Sequence, residues 1–578
     1  MFDKSCKNLL VRGVNWIGDA VMTLPALRAL RKSLPEAKIS LLVKPWVSAI
    51  FERDPNVDEI ILYNNGHRGI FGKIKLSRIL NKKGFSCAIL FQNAFDAAFI
   101  TFLSGIKERA GYNRDGRGFF LTEAVKVPQK ETNIHHIYYY LNLLERLGFD
   151  AKYSDPYIYL LLDERLSARD LLKEMKRPVL GINPGAEYGA AKRWFPERFA
   201  EIANWFIKDT KGSVVIFGSK KEEDIAQRIE YFINQQQSIE QAAVNSQQSN
   251  FSESPHWKRG AEGDFDGGGG GILNLAGKTS LRELISLISE CDVFVTNDSG
   301  PLHISYAIGT PMVAIFGSTD PELTGPPSST VGNRNAVVAH KFSCSPCFER
   351  TCRNNDLRCM YAITSDDVYF GIKKVLPNKP AVFFDRDGTL CNDSGYLSRY
   401  EDLKIFPEVN NIPILKERGF QLIGVTNQSG VARGIIEENF VKEVNKIFIE
   451  RYNFDDFYYC PHLPEEHCPC RKPEPGMVLR ARAEYGIDLK QSYVVGDKEA
   501  DMLLAKTVGA RGIFVKTGQD KESPSADYEA ILKASLKADV VFFGELHDNP
   551  IAHWLEYEIT KDLHSKKGKD LILAAEIF

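Results

Sequence analysis

The sequence predicts an α/β protein built from several doubly wound, parallel-sheet domains in tandem. Three observations point there. Short, almost wholly apolar runs recur, as strands buried on both faces do: residues 293–296, 312–316 and 381–384 are examples. Helical stretches separate such runs, the alternation that builds a parallel sheet. Each run also stops at Gly, Asp, Asn or Ser, at the strand end where these sheets carry their chemistry.

At 578 residues the chain is too long for one core and should hold about three or four domains. It is 44% hydrophobic and 26% charged, with a formal net charge of −2. That balance gives no reason to expect nucleic acid as a partner. No apolar run reaches the ~18 residues of a transmembrane segment. Arg12 and Asp19 interrupt the first apolar stretch, which argues against a signal peptide. Eleven cysteines, several in metal-like clusters, suggest a reducing interior rather than a disulfide scaffold. The expected location is therefore cytoplasmic.

Residues 8–14 read as a strand, followed by Gly18, Asp19 and a helix over 20–34; further strands follow at 38–43 and 87–91. Asp19 sits at the strand-to-helix switch, as a catalytic group or as an acidic residue favoured by the helix dipole. Residues 73–83 form a basic amphipathic helix, suited either to solvent or to an anionic lipid surface. A second α/β region begins near Pro178, with strands at 179–182, 214–217, near Leu275, at 293–296 and at 312–316. Small residues after its strands leave backbone N–H groups free for phosphate. Residues 236–271, Gln-rich and then Gly-rich, read as an inserted disordered loop. Cys344, Cys347, Cys352 and Cys359 could hold zinc or an iron–sulfur cluster, or remain free thiols.

The strand 381–384 stops at Asp385-Arg386-Asp387-Gly388-Thr389. Asp385 can attack phosphorus while Asp387 exchanges a proton with the leaving oxygen. Taken alone, the pair could be an ordinary acidic turn. Downstream, however, a strand at 421–426 ends in Thr426-Asn427-Gln428-Ser429-Gly430, Arg471 and Lys472 supply cations, and a strand at 492–495 meets Asp497-Lys498. Cys460, His462, Cys468 and Cys470 have the spacing of a tetrahedral zinc loop, with buried free cysteines as the alternative. His467 does not match that spacing. After residue 517 come a polar linker, a strand at 539–543, and Glu545, His547 and His553.

Three resemblances organise these motifs. WIGDAVMTLPALRAL, NPGAEYGAAKRWF, FGSKKE, NLAGKTSL and VTNDSGPLHISYAIGTPMVAIFGSTDP resemble the GT-B glycosyltransferases of the heptosyltransferase family, close to its lipopolysaccharide heptosyltransferase II branch. This implies a GT-B pair of Rossmann-like domains, with an acceptor domain at 1–172 and an ADP-heptose domain at 173–376. By that resemblance Asp19 is the base, Lys192 meets the departing diphosphate, and Glu222 holds ribose or sugar. Asp298, Ser299, Gly300 and His303 would line the ADP-heptose site. Asp298 could instead cap the helix that follows it.

FFDRDGTL, VTNQSGVARG, CRKPEPGM and VVGDKEAD resemble the HAD-like phosphatases, giving a HAD-like α/β domain at 377–522. The cysteine loop narrows the likeness to the heptose 1,7-bisphosphate phosphatases and the related histidinol phosphatases. It implies Asp385 as nucleophile and Asp387 as acid/base. Mg²⁺ would lie on Asp385, Asp387 and Asp497, and Zn²⁺ on the Cys/His loop. Thr426, Asn427, Arg433, Arg471, Lys472 and Lys498 would bind substrate. Residues 523–578 resemble the opening of the ChaN-like haem-binding family, too short a stretch to close a core.

Together these imply a bifunctional enzyme using ADP-heptose, heptose 1,7-bisphosphate and a lipid A–core acceptor, working at the inner face of the inner membrane where that acceptor lies. The alternatives are a histidinol-phosphate phosphatase in the second half and a non-catalytic sugar-nucleotide-binding module in the first.

Overall fold

The computed structural model describes residues 2–127, 134–249, 271–327 and 335–516, and side chains within the helix Glu223–Ser249 only as far as residue 238. The chain forms two compact units, Met1–Leu376 and the residues from Pro377 onward.

The first unit contains two six-stranded sheets. One comprises β1 (Asn8–Arg12), β2 (Lys38–Val43), β3 (Glu59–Leu62), β4 (Cys87–Leu90), β5 (Glu108–Tyr112) and β6 (Glu123–Val125), in the order 3-2-1-4-5-6. The other comprises β7 (Val179–Asn183), β8 (Ser213–Ile216), β9 (Ile272–Asn274), β10 (Val293–Asn297), β11 (Met312–Phe316) and β12 (Asn335–Ala339). Its order, 12-11-10-7-8-9, repeats the same winding. Every pairing is parallel. β7, β8, β10 and β11 are buried along their whole length, which explains their unbroken apolar sequence.

The second unit has one parallel sheet of β13 (Ala381–Phe384), β14 (Gln421–Asn427), β15 (Asp456–Cys460), β16 (Tyr493–Gly496) and β17 (Arg511–Phe514), in the order 15-14-13-16-17. In all three sheets the winding reverses beside the first strand. The switch points therefore lie at β1/β4, β7/β10 and β13/β16, where open α/β sheets bind ligands.

Several expectations need correction. The helix after β1 is two helices, Ile17–Met22 and Leu24–Ser33, because Pro25 at the second start cannot donate to the turn before it. The inserted loop does not begin at 236: the helix Glu223–Ser249 carries its Gln, Glu and Ala residues, all adequate helix formers. The strand near Leu275 is β9, ending at Asn274. Where the cysteine usage suggested a reducing interior without a disulfide scaffold, Cys6, just before β1, and Cys87 in β4 form a disulfide with α-carbons 6.4 Å apart. No helix among the described residues is long and apolar enough to cross a membrane. The linker, the strand at 539–543, Glu545, His547 and His553 lie outside the described residues.

Candidate functional site

β13 and β16 are neighbours, so Asp385 and Asp497 leave adjacent strand tips at the switch point. Asp501 joins them from the first turn of the helix Glu499–Val508. One oxygen from each of the three carboxylates lies within 4.8 Å of the others. Lys472 Nζ stands 2.8 Å from Asp385 Oδ1 and 2.6 Å from Asp501 Oδ1, and donates to the Val425 carbonyl at 3.0 Å. All four side chains are buried. Three buried carboxylates against one ammonium leave negative charge that a cation would balance. Asp497 Oδ2 has no hydrogen-bond partner, and an all-oxygen donor set suits a hard ion such as Mg²⁺. Burial raises the Asp385 carboxyl against the opposing pull of Lys472, and burial pushes Asp497 up to about 6. Gly388 is sterically required: its φ is +93°, and a β-carbon there would stand 2.3 Å from Asp497 Oδ2.

Asp387, expected as a magnesium ligand, has its carboxylate outside this group. The Arg386 guanidinium reaches it at 3.0 Å and Gln428 Nε2 donates to it at 2.6 Å. Burial would raise its carboxyl, but Arg386 and Gln428 together hold it below the usual range. Thr426 Oγ1 also points at it, 3.4 Å away. Asn427, expected to meet substrate, spends its amide on the Lys472 backbone, accepting from its N–H at 3.0 Å and donating to its carbonyl at 3.3 Å. Lys498 pairs with Asp393 at 2.9 Å. Arg433 is exposed, and Arg471 is half-buried beside the His462 carbonyl.

At the end of β15, Cys460 Sγ lies 3.4 Å from both Cys468 Sγ and Cys470 Sγ, which are 3.3 Å apart. His462 Nδ1 completes the group, 3.6 Å from Cys460 Sγ and 3.2 Å from Cys470 Sγ. A tetrahedral zinc with Zn–S of ~2.3 Å would place its sulfurs ~3.8 Å apart, so this cluster needs only slight expansion. Contact with Cys460 drives the His462 imidazole up to about 10 and Cys468 toward thiolate. Lys472 follows Cys470 by two residues, so a closed loop would also fix the Lys472 ammonium.

In the first unit, Asp19 lies in the opening turn of the helix after β1, partly exposed and 3.7 Å from His136 Nδ1. That helix packs against the helix Gly300–Ala307, which follows β10. His303 lies against Gly18, where a β-carbon would stand 2.6 Å from the ring. Lys192 Nζ is 2.5 Å from Asp298 Oδ2, which also accepts from Thr319 Oγ1 at 2.6 Å. The Asp298 carboxylate therefore serves Lys192 and Thr319, and the helix start at Ser299 has no side-chain cap. Ser299 Oγ lies 3.3 Å from Thr296 Oγ1. Glu222 Oε2 accepts from both the N–H and Oγ of Ser219 at 2.8 Å, and its carboxylate lies against Gly185, where a β-carbon would have to displace it.

Four supporting residues stood inside the quoted motifs, but the sequence reading gave none of them a role of its own. Asp501 binds Lys472, and Gln428 binds Asp387. Thr319 braces Asp298, while Asn297 accepts from Trp194 N–H and donates to the Pro184 carbonyl. Each stands within a few residues of a recognised motif residue, and only its contacts reveal its role.

Burial lowers the His303 imidazole to about 4, below its unfolded value of 6.5. The unfolded chain thus takes up this proton first as pH falls. Stability is full above 6.5 and is lost toward 4, by on the order of 3 kcal/mol over the whole window. Hydrogen exchange of β10 and β11 between pH 6.5 and 5 should show this loss in the native chain and a flatter response in His303→Gln.

The glycosyltransferase family 9 (heptosyltransferase) profile matches residues 73–243 and 261–358, and a HAD-hydrolase-like profile matches 469–541. A haem-binding uptake, Tiki superfamily, ChaN profile matches 531–578, of which no residue is described. Lipopolysaccharide heptosyltransferase 2 of Escherichia coli K12 is 31% identical over 328 residues, covering 55% of this chain and 85% of the relative. The D-glycero-beta-D-manno-heptose-1,7-bisphosphate 7-phosphatase of Haemophilus ducreyi is 41% identical over 155 residues, covering 24% and 85%. A family 9 glycosyltransferase structure from Veillonella parvula shares the fold at a TM-score of 0.52 and 22% identity, covering 65% of this chain and 98% of that one. The chain thus belongs to the family 9 heptosyltransferases through its first unit and to the HAD-like phosphatases through its second.

Proposed function

We propose that one chain carries two activities of lipopolysaccharide inner-core synthesis. The second unit removes the 7-phosphate of D-glycero-D-manno-heptose 1,7-bisphosphate, and the first transfers heptose from ADP-heptose to a heptose of the lipid A–core acceptor. The observation that carries the phosphatase reading is the buried group of Asp385, Asp497, Asp501 and Lys472 at the β13/β16 switch point. Asp385 attacks phosphorus; the P–O bond to the heptose breaks, and Asp387, which takes up a proton as the anionic substrate binds beside it, gives that proton to the leaving oxygen. Asp387 then takes a proton from water, which attacks the aspartyl-phosphate, releasing phosphate and restoring Asp385. Lys472 holds Asp385 in place. Mg²⁺ on Asp385, Asp497 and Asp501 would neutralise phosphoryl charge. Zn²⁺ on Cys460, His462, Cys468 and Cys470 would be structural.

In the first unit, Asp19 takes the proton of the acceptor hydroxyl as it attacks the anomeric carbon. The bond to ADP breaks, and Lys192 meets the departing diphosphate near the amino end of the helix Gly300–Ala307. An anionic acceptor fits the cations beside β1 and β2. Partial burial and then Arg12 lower the Lys44 ammonium, with Arg68 and Lys73 adding to the effect against the pull of Asp96. The test is phosphate release from heptose 1,7-bisphosphate against histidinol phosphate, and ADP release with ADP-heptose and acceptor. Asp19→Asn should lower only ADP release, by ~10²–10⁴-fold. Equal turnover of histidinol phosphate, or an unchanged transfer rate, would sink the corresponding half.

A lipid-linked acceptor also fits the outer face of the first sheet. Ile70 and Phe71 on the helix Gly69–Lys82, Phe95, Phe102 and Leu103 on the helix Phe95–Leu103, and Phe119 are exposed, Phe71 at 85% and Phe119 at 88%. Phe95, Phe102 and Phe119 all meet the ring of Phe120, so they form one patch, with Lys75, Arg78 and Lys82 exposed on the neighbouring helix. Apolar tips among cations suit an anionic interface. Phe71→Glu with Phe119→Glu should lower sedimentation with phosphatidylglycerol vesicles at least ~10-fold, while phosphate release is unchanged.

A further inference from the structure

Two buried cations sort the carboxylates around the tips of β13 and β16. Lys472 serves Asp385 and Asp501. Arg386, between Asp385 and Asp387 in the chain, serves Asp387. Its side chain is 1% exposed, and a guanidinium so far from solvent is costly unless its donors are used.

They are used chiefly on one carboxylate. Arg386 Nε donates to Asp387 Oδ1 at 3.2 Å and Nη2 to Oδ2 at 3.0 Å. This two-pronged contact between adjacent residues fixes the plane of the carboxylate as well as its place. Arg386 Nη1 donates to Asn445 Oδ1 at 2.9 Å, and Asn445 is itself buried on the helix Glu438–Tyr452. The main chain adds to the constraint. Arg386 N–H donates to Asp385 Oδ1 at 2.8 Å, and its carbonyl accepts from Leu390 N–H at 2.9 Å and Cys391 N–H at 3.2 Å, which closes the turn.

From the other side, Gln428 Nε2 donates to Asp387 Oδ2 at 2.6 Å and to Thr426 Oγ1 at 2.8 Å. Asp387 is therefore gripped between the end of β14 and a guanidinium braced by a helix. Its side chain stays 19% exposed, so the carboxylate is fixed without being sealed off. The same grip accounts for Asp387 standing apart from the group of Asp385, Asp497 and Asp501.

We propose that Arg386, braced by Asn445, is a positioning residue for phosphate release: its guanidinium holds the Asp387 carboxylate at the leaving oxygen and away from the cation position. The guanidinium exchanges no proton and acts only through Asp387. This role rests on the phosphatase reading of the second unit, in which Asp385 is the nucleophile and Asp387 the acid/base. A sugar oxygen leaves poorly as an alkoxide and needs the proton of Asp387, whereas p-nitrophenolate is a stable anion and departs without one. A displaced Asp387 therefore penalises the heptose ester and spares the aryl ester in the step that forms the aspartyl-phosphate, which kcat/KM reports.

The test measures kcat/KM of the full chain, with Mg²⁺ present, for heptose 1,7-bisphosphate and for p-nitrophenyl phosphate. Arg386→Lys keeps the charge but cannot form the fork. It should lower kcat/KM on the order of 10²-fold for the heptose ester and no more than about threefold for the aryl ester. Asp387→Asn should show the same selectivity, and adding Arg386→Lys to it should cost less than about twofold more, because the group through which Arg386 acts is already gone. This cycle on the heptose ester decides by itself where the aryl ester turns over too slowly to compare. Should Arg386→Lys fail to fold, Asn445→Ala leaves the arginine but loosens its brace, and should give the same selective loss at a several-fold level. Equal losses on the two esters, additive losses in the double variant, or native kcat/KM for the heptose ester in Arg386→Lys would overturn the positioning role. Asp385→Asn retaining turnover of either ester would instead overturn the phosphatase reading, so the two failures are distinguishable.

Discussion

Asp385→Asn is expected to lower phosphate release from heptose 1,7-bisphosphate on the order of 10⁴-fold, with heptosyl transfer by the same chain unchanged. The reason is chemical. An amide oxygen is too weak a nucleophile to displace the sugar oxygen, and it removes one of the three carboxylates that face the cation position. The fold should survive. Asn keeps the shape of Asp and can still accept from Lys472, which retains Asp501 as its second partner at 2.6 Å. Phosphate release and ADP release measured on one preparation decide the matter. Phosphate release near the native rate would remove Asp385 from the chemistry; loss of both rates would point to misfolding.

Lys192→Ala should produce the second large effect, a fall of ~10²–10³-fold in kcat/KM for ADP-heptose. Here the structure adds a complication. Lys192 and Asp298 form a nearly buried pair, so truncating the lysine leaves a carboxylate almost without solvent, with Thr319 as its remaining partner. Part of the loss could then be structural. Lys192→Ala/Asp298→Asn separates the two causes, because it removes the stranded charge. If the double variant regains stability but not transfer, the ammonium meets the diphosphate. Recovery of transfer would limit Lys192 to partnering Asp298. The pair also implies that an incoming diphosphate must share or displace Asp298 as counter-charge to Lys192.

The two reactions involve the same seven-carbon sugar without being consecutive, since C1 activation lies between product and donor. Direct transfer between the two sites therefore does not follow from fusion.

Much of the architecture was legible in the residues. A strand buried on both faces of a parallel sheet must be apolar throughout, so runs such as 312–316 and 381–384 announced themselves and ended where the strands end. Edge strands were not legible: β3, β6 and β12 keep only part of their side chains from solvent, so their sequences lack that signature. The Gln-rich continuation of the helix Glu223–Ser249 misled for the opposite reason. Polar composition suggested a loop, whereas helix formation depends on backbone propensity that Gln, Glu and Ala satisfy.

The sequence by itself determined the family of chemistry: nucleophile at a strand tip, thiols and imidazole at metal spacing, and small residues at phosphate-binding turns. These signals are local, carried by residues a few positions apart. Only the tertiary structure decided which groups face one another. Asp501 replaced Asp387 in the carboxylate group, Asn427 turned to brace Lys472, and Lys192 closed on Asp298 across 106 positions of chain. A side chain's partner is chosen by the packing of elements distant in sequence, and spacing along the chain does not encode that choice.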